Sequence, residues 1–201
     1  MAYLLPHTLI LHIPKTGSDW VRTACYEAVE GPITEIGDWH CDLQTAKQII
    51  LEKGIEIPLT ITFVRHPLDW YRSAWMYWKE TNRFPRLEEE PKVETDDFEQ
   101  FVRNCMAVEP QGYLSALYER FTGINPGEIS MIGKQENLVN DLVRILRLAG
   151  ETFDEVKLRA VKSKNVGGTK TGVKFTGYSF ALARDVVQHE RRVLERYGYT
   201  Y

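Results

Sequence analysis

Leu9 to Trp20 reads LILHIPKTGSDW. An apolar run gives way to Pro14, a Lys-Thr-Gly-Ser turn follows, and the next residues are able to start a helix. The predicted unit is a buried strand, Thr8 to Ile13, feeding a turn whose backbone N–H groups and hydroxyls meet a helix N-terminus. Such a junction suits a phosphate group. The triphosphatase loop G-x-x-x-x-G-K-[ST] is excluded, because Lys15 precedes Gly17, the turn's glycine. No G-x-G-x-x-G occurs either, so a dinucleotide fold has no support.

A second strand-to-helix junction lies downstream. Leu59 to Val64, LTITFV, carries no charge and reads as a strand covered on both faces of a parallel sheet. It runs into Arg65-His66-Pro67-Leu68-Asp69-Trp70-Tyr71-Arg72-Ser73, where the proline sits at a preferred helix start.

Together these stretches resemble the sulfotransferases that use 3′-phosphoadenosine 5′-phosphosulfate (PAPS). The 5′-phosphosulfate loop of that family reads P-K-[ST]-G-[ST]-[ST]-W, and Pro14, Lys15, Thr16, Gly17, Ser18 and Trp20 match it, with Asp19 where a hydroxyl usually stands. The family's 3′-phosphate element, R-[NH]-P-x-D-x-x-x-S, is met by Arg65, Pro67, Asp69 and Ser73 in register. Glu136 and Leu138 resemble a late E-x-L segment, assigned to structure, and Arg196-Tyr197-Gly198-Tyr199 is similar to the family's C-terminal end.

The resemblance implies an α/β fold with a mainly parallel central sheet flanked by helices, in a P-loop-like sulfotransferase architecture. It also implies roles. Backbone N–H groups of Thr16 to Asp19, with the hydroxyls of Thr16 and Ser18, would hold the 5′-phosphate, and Arg65 and Ser73 the 3′-phosphate. Trp20 would stack on adenine. Lys15 would contact the bridging oxygen and neutralise charge on the leaving phosphate, and His40 is the candidate base, with Asp42 and Asp19 as alternatives. The glycine- and lysine-rich segment Lys162 to Lys174 is a candidate cover for the donor, through Lys164, Lys170 or Lys174. No metal is expected, and the acceptor would be a hydroxyl on a glycan or small molecule.

Composition bounds this reading. The 201 residues suit one α/β core, so a single domain over 1–201 is expected. A net charge of -3 offers no general attraction to nucleic acid or an anionic membrane. Cys25, Cys41 and Cys105 show no C-x-x-C spacing, which points to a reducing compartment rather than a disulfide framework. The apolar stretch Tyr3 to Ile13 is interrupted by Pro6, His7 and His12 and falls short of the roughly 18 residues of a membrane span. A soluble, cytoplasmic chain is expected.

Periodicity predicts the remaining elements: helices over 19–30, 42–53, from Pro67, from Thr95 or Asp96 to Ala107, over 111–121, over 137–149 and over 179–197, and a short helix opened by Thr152 to Glu155. Ile33 to Ile36 reads as a short second strand and Glu128 to Ile132 as a third parallel one. His12, His66 and the Trp70, Tyr71, Trp75, Tyr77, Trp78 group read as structural. Two rivals remain beside the sulfotransferase. One is a P-loop-like kinase of a small hydroxyl compound, for which a later strand-end acid is missing. The other is a non-catalytic nucleotide-binding protein, which Asp19 and the loose setting of His40 favour.

Overall fold

The computed structural model describes residues 1–38, 41–81, 93–125, 127–162, 175 and 177–200. Its contacts divide the chain into two compact units, residues 1–64 with 119–164, and residues 65–118 with 165–201.

The first unit carries the sheet. Its strands are β1 (Ala2–Leu4), β2 (Thr8–Ile10), β3 (Thr34–Ile36), β4 (Leu59–Val64) and β5 (Met131–Lys134), in the order β3-β1-β2-β4-β5. The β2–β4 and β4–β5 pairs are parallel, whereas β1 runs antiparallel to both β2 and β3. The expected mainly parallel sheet of the sulfotransferase type is therefore corrected to a mixed one. The cause lies at Pro6 and His7. They form a tight turn closed by the Leu5 N–H donating to the Thr8 carbonyl at 2.8 Å, which splits the apolar N-terminal stretch into a hairpin. That places β1 between β2 and β3, and β3 follows β1 rather than the parallel core.

Helices α1 (Ser18–Ala28), α2 (Leu43–Glu52), α6 (Leu138–Ala149) and α7 (Glu155–Ala160) also belong to this unit. Leu142, Ile145 and Leu146 of α6, Val21, Ala24 and Cys25 of α1, and Leu158 of α7 pack with Ile10, Ile61 and Phe63 from the strands in one buried cluster. Local chemistry sets the helix starts. Asp42 accepts from the Thr45 N–H at 2.9 Å, and Asp154 from the Lys157 N–H at 3.0 Å. The cap of α7 is thus Asp154, not Thr152.

The second unit is helical. Helices α3 (Pro67–Thr81), α4 (Phe98–Val108), α8 (Phe180–His189) and α9 (Arg191–Tyr197) lie in it, with most of α5 (Tyr113–Thr122). Asp97 caps α4 and Ser179 caps α8. The long helix expected over 179–197 is instead broken at Glu190, which is fully buried. Its carboxylate accepts from the Tyr71 hydroxyl (2.6 Å), the Leu114 and Ser115 N–H groups (2.9 and 3.0 Å) and the Ser115 hydroxyl (3.0 Å). Four donors, three of them from the first turn of α5, solvate a charge that would otherwise be expensive to bury. Gly112 makes room for it. Its φ is +111°, and a Cβ there would lie 2.6 Å from the Ser115 hydroxyl oxygen and 3.1 Å from Glu190 Oε2.

Candidate functional site: two strand-to-helix junctions

The first junction belongs to the sheet unit. β2 ends at Ile10, the chain continues through buried Leu11, His12 and Ile13, and α1 opens at Ser18. Between them Lys15 adopts φ +65°, the only non-glycine residue in the left-handed region among the described residues. That conformation costs an L-residue on the order of 1 kcal/mol or more, and such strain gathers at functional turns. Gly17 is the N-cap of α1 with φ +88°, and it brings no side-chain acceptor to the first-turn N–H groups. A Cβ on Gly17 would lie 2.6 Å from Leu138 Cδ2 and 3.5 Å from Gln135 Cγ. The turn is seated on the segment that follows β5, where sequence reasoning had assigned Leu138 a structural role.

Both hydroxyls of the turn point inward. Thr16 Oγ1 donates to the Ile13 carbonyl at 3.0 Å and Ser18 Oγ donates to the same oxygen at 2.7 Å, and both residues are buried. A hydroxyl has one proton to give. With those protons committed to Ile13, the donor set a phosphate would meet here is the backbone N–H groups of the helix start and the Lys15 ammonium. Asp19 stands in the first turn of α1, half-buried, where its negative charge complements the helix dipole. Trp20 is 7% exposed, packs in the core cluster and donates its indole N–H to the Val161 carbonyl at 3.1 Å. In this structure it is a core residue.

The second junction belongs to the helical unit. Arg65, half-buried, precedes α3, with Pro67 as the first residue of that helix. The fully buried Tyr118 holds the Arg65 backbone on both sides, its hydroxyl accepting from the Arg65 N–H and donating to the Arg65 carbonyl, each at 2.9 Å. Tyr197 meets Tyr118 edge-on at 5.7 Å, and Tyr199 meets His66 edge-on at 5.3 Å. The aromatic C-terminal residues therefore buttress the turn that bears Arg65. His66 Nδ1 accepts from the Leu68 N–H at 3.3 Å, which makes it a cap for α3. Ser73 lies two turns into α3, half-buried, and Asp69 pairs with Arg72 at 3.3 Å. Trp70, Tyr71, Trp75 and Trp78 are buried packing residues.

No protein-family model matches this chain, and no curated protein matches it. His40, Lys164 and Lys170 lie outside the described residues. Sequence reasoning missed Tyr118 and Glu190, which it placed inside the helices over 111–121 and 179–197 without singling them out. Among the described residues no helix is long and apolar enough to cross a membrane.

Proposed function

We propose that this chain transfers a sulfuryl group from PAPS to a hydroxyl of a glycan or small molecule. The observation that carries the reading is the turn at Lys15: a lysine held at φ +65° two residues before a glycine N-cap that has no side chain to cap the helix start. The reading rests on these local elements and on the motif resemblance, and not on the sheet, whose strand directions differ from the family's.

The chemistry asks little of the protein beyond position and charge. As the acceptor oxygen bonds to sulfur, the bond from sulfur to the 5′-phosphate oxygen breaks, negative charge moves onto the leaving phosphate, and the acceptor proton passes to a base. Lys15 would neutralise that charge, the first-turn N–H groups of α1 would hold the 5′-phosphate, and Arg65 and Ser73 would take the 3′-phosphate. The Arg fork suits this task because it donates two parallel charge-assisted hydrogen bonds. His40 is the proposed base, and Lys164 and Lys170 the proposed further contacts to the donor. Cys25, Cys41 and Cys105 are buried and free of disulfides, which favours a reducing, cytoplasmic setting.

The test is calorimetry of the intact chain with adenosine 3′,5′-bisphosphate against ATP and magnesium, followed by transfer from sulfur-labelled PAPS to panels of glycans, phenols and alcohols. Bisphosphate binding with label transfer supports the proposal. Preference for ATP with magnesium would move the reading to a kinase. The inward hydroxyls of Thr16 and Ser18, together with the carboxylate of Asp19, favour one second reading, a nucleotide-binding protein without turnover. In that case the bisphosphate binds and no acceptor is ever labelled.

A further inference from the structure

Within the helical unit a cleft of about 550 Å³ opens between α4, the loop before α5 and the α8–α9 elbow. Its charged lining is Arg103, Arg191 and Arg192 with His189, against a single carboxylate, Asp185. Gln111 and Gln188 add amides, and Met106 and Pro110 a small apolar surface. None of these residues belongs to either junction described above.

The walls are fixed by specific bonds. Glu190, locked by its four donors, sets the break between α8 and α9, so His189 and Arg191 leave the elbow on either side of it. His189 Nε2 lies 3.0 Å from the Glu109 carbonyl, which ties the elbow to the end of α4. Asp185 Oδ2 stands 3.6 Å from Arg103 Nη1, linking α8 to α4 beside the cleft. Arg103 also pairs with Glu99, and Arg191 with Glu195, one helical turn away along their own helices. Those exposed pairs are worth only about 0.3–0.5 kcal/mol each, whereas a hydrogen bond to a charged group is worth about 1.5–3 kcal/mol. An incoming oxyanion therefore displaces them at little cost.

We infer that this cleft is a binding site for a small polyhydroxylated ester of phosphate or sulfate. The tetrahedral oxyanion sits among the arginines, and the hydroxyls meet Gln111 and Gln188. The volume falls in the range of small-molecule sites, and planar guanidinium forks match the oxygens of such esters.

The experiment titrates the intact chain at low salt with glucose 6-phosphate, glucose 6-sulfate and glucose, reading affinity by calorimetry and location by ¹⁵N amide shifts. The expected result is saturable binding of the esters, shifts at Gln111, Gln188 and Arg191, and glucose at least tenfold weaker. Losing one charge-assisted contact in Arg103→Gln or Arg192→Gln weakens ester binding by about tenfold or more. Arg103→Lys retains part of it, and Lys15→Ala changes it less than twofold. Circular dichroism confirms folding of each variant, and because Arg192 is exposed its replacement leaves the core untouched. Binding of one ester only names the source of the oxyanion. Equal binding of glucose, amide shifts confined to the helix start at Gly17, or affinities unmoved by both arginine variants would overturn the inference. None of these readouts depends on sulfuryl transfer, so the cleft and the proposed activity stand or fall separately.

Discussion

Lys15 pays for its place in the turn with backbone strain, and the strain is measurable. Replacing it by glycine removes the Cβ from a left-handed conformation, so Lys15→Gly should raise the urea midpoint, by up to about 1 kcal/mol in stability. The same variant removes the ammonium that the proposed reaction needs, and sulfuryl transfer should fall about a hundredfold to a thousandfold, the usual loss for one such donor. A destabilised Lys15→Gly variant would show that the turn is not strained. Transfer at the wild-type rate would remove Lys15 from the chemistry. Glu190 poses the opposite case. Truncating it to alanine strands the Tyr71 and Ser115 hydroxyls and two N–H groups of α5 without acceptors, at a cost of about 3 kcal/mol or more in chemical denaturation.

At the scale of elements, each junction depends on a neighbour that sequence reading did not connect to it. The turn before α1 is closed by two hydroxyls on one carbonyl, so Ser18→Ala should cost about 1 kcal/mol of stability. The Arg65 turn is held by Tyr118 from the far end of α5. Tyr118→Phe keeps the ring and its edge contact with Tyr197 but deprives the Arg65 N–H and carbonyl of their shared partner. Stability should drop by about 1–2 kcal/mol, and affinity for adenosine 3′,5′-bisphosphate several-fold, through an Arg65 that is present but less well placed. Full retention of both would show that α3 alone orients the arginine.

For the whole molecule, buried neutral acids set the alkaline limit. Burial, helped by the charge of Glu151, pushes the Cys25 thiol up to about 12. Burial likewise raises the Cys105 thiol and, with Glu190 beside it, the Tyr71 hydroxyl far above their ordinary values. The folded chain keeps these protons while the unfolded chain releases them, so above pH 9 the native state binds more protons than the unfolded one. Stability should then fall with rising pH, by about 1.4 kcal/mol per unit for each such group in its window. Denaturation midpoints from pH 8 to 11 check the sign, and Cys25→Ala should flatten the slope. The same burial predicts that folded protein resists thiol reagents at neutral pH.

By itself the sequence determined what is decided within a few residues. The uncharged run Leu59–Val64 is a strand to the residue, the helix bounds from α1 to α6 fall within a few positions of their periodicity, and the turn from Lys15 to Ser18 is the strand-to-helix junction its composition announces. Only the tertiary structure decided strand direction, because pairing is settled by hydrogen bonds between distant segments: the Pro6–His7 turn inserted β1 and made the sheet mixed. It also decided what each side chain faces. Trp20 is taken up by the α1–α6 core and the Thr16 and Ser18 protons by Ile13, while Glu190 turns inward and breaks a helix that periodicity had drawn as continuous. Burial depends on which elements arrive from elsewhere in the chain, and a local pattern carries no record of them.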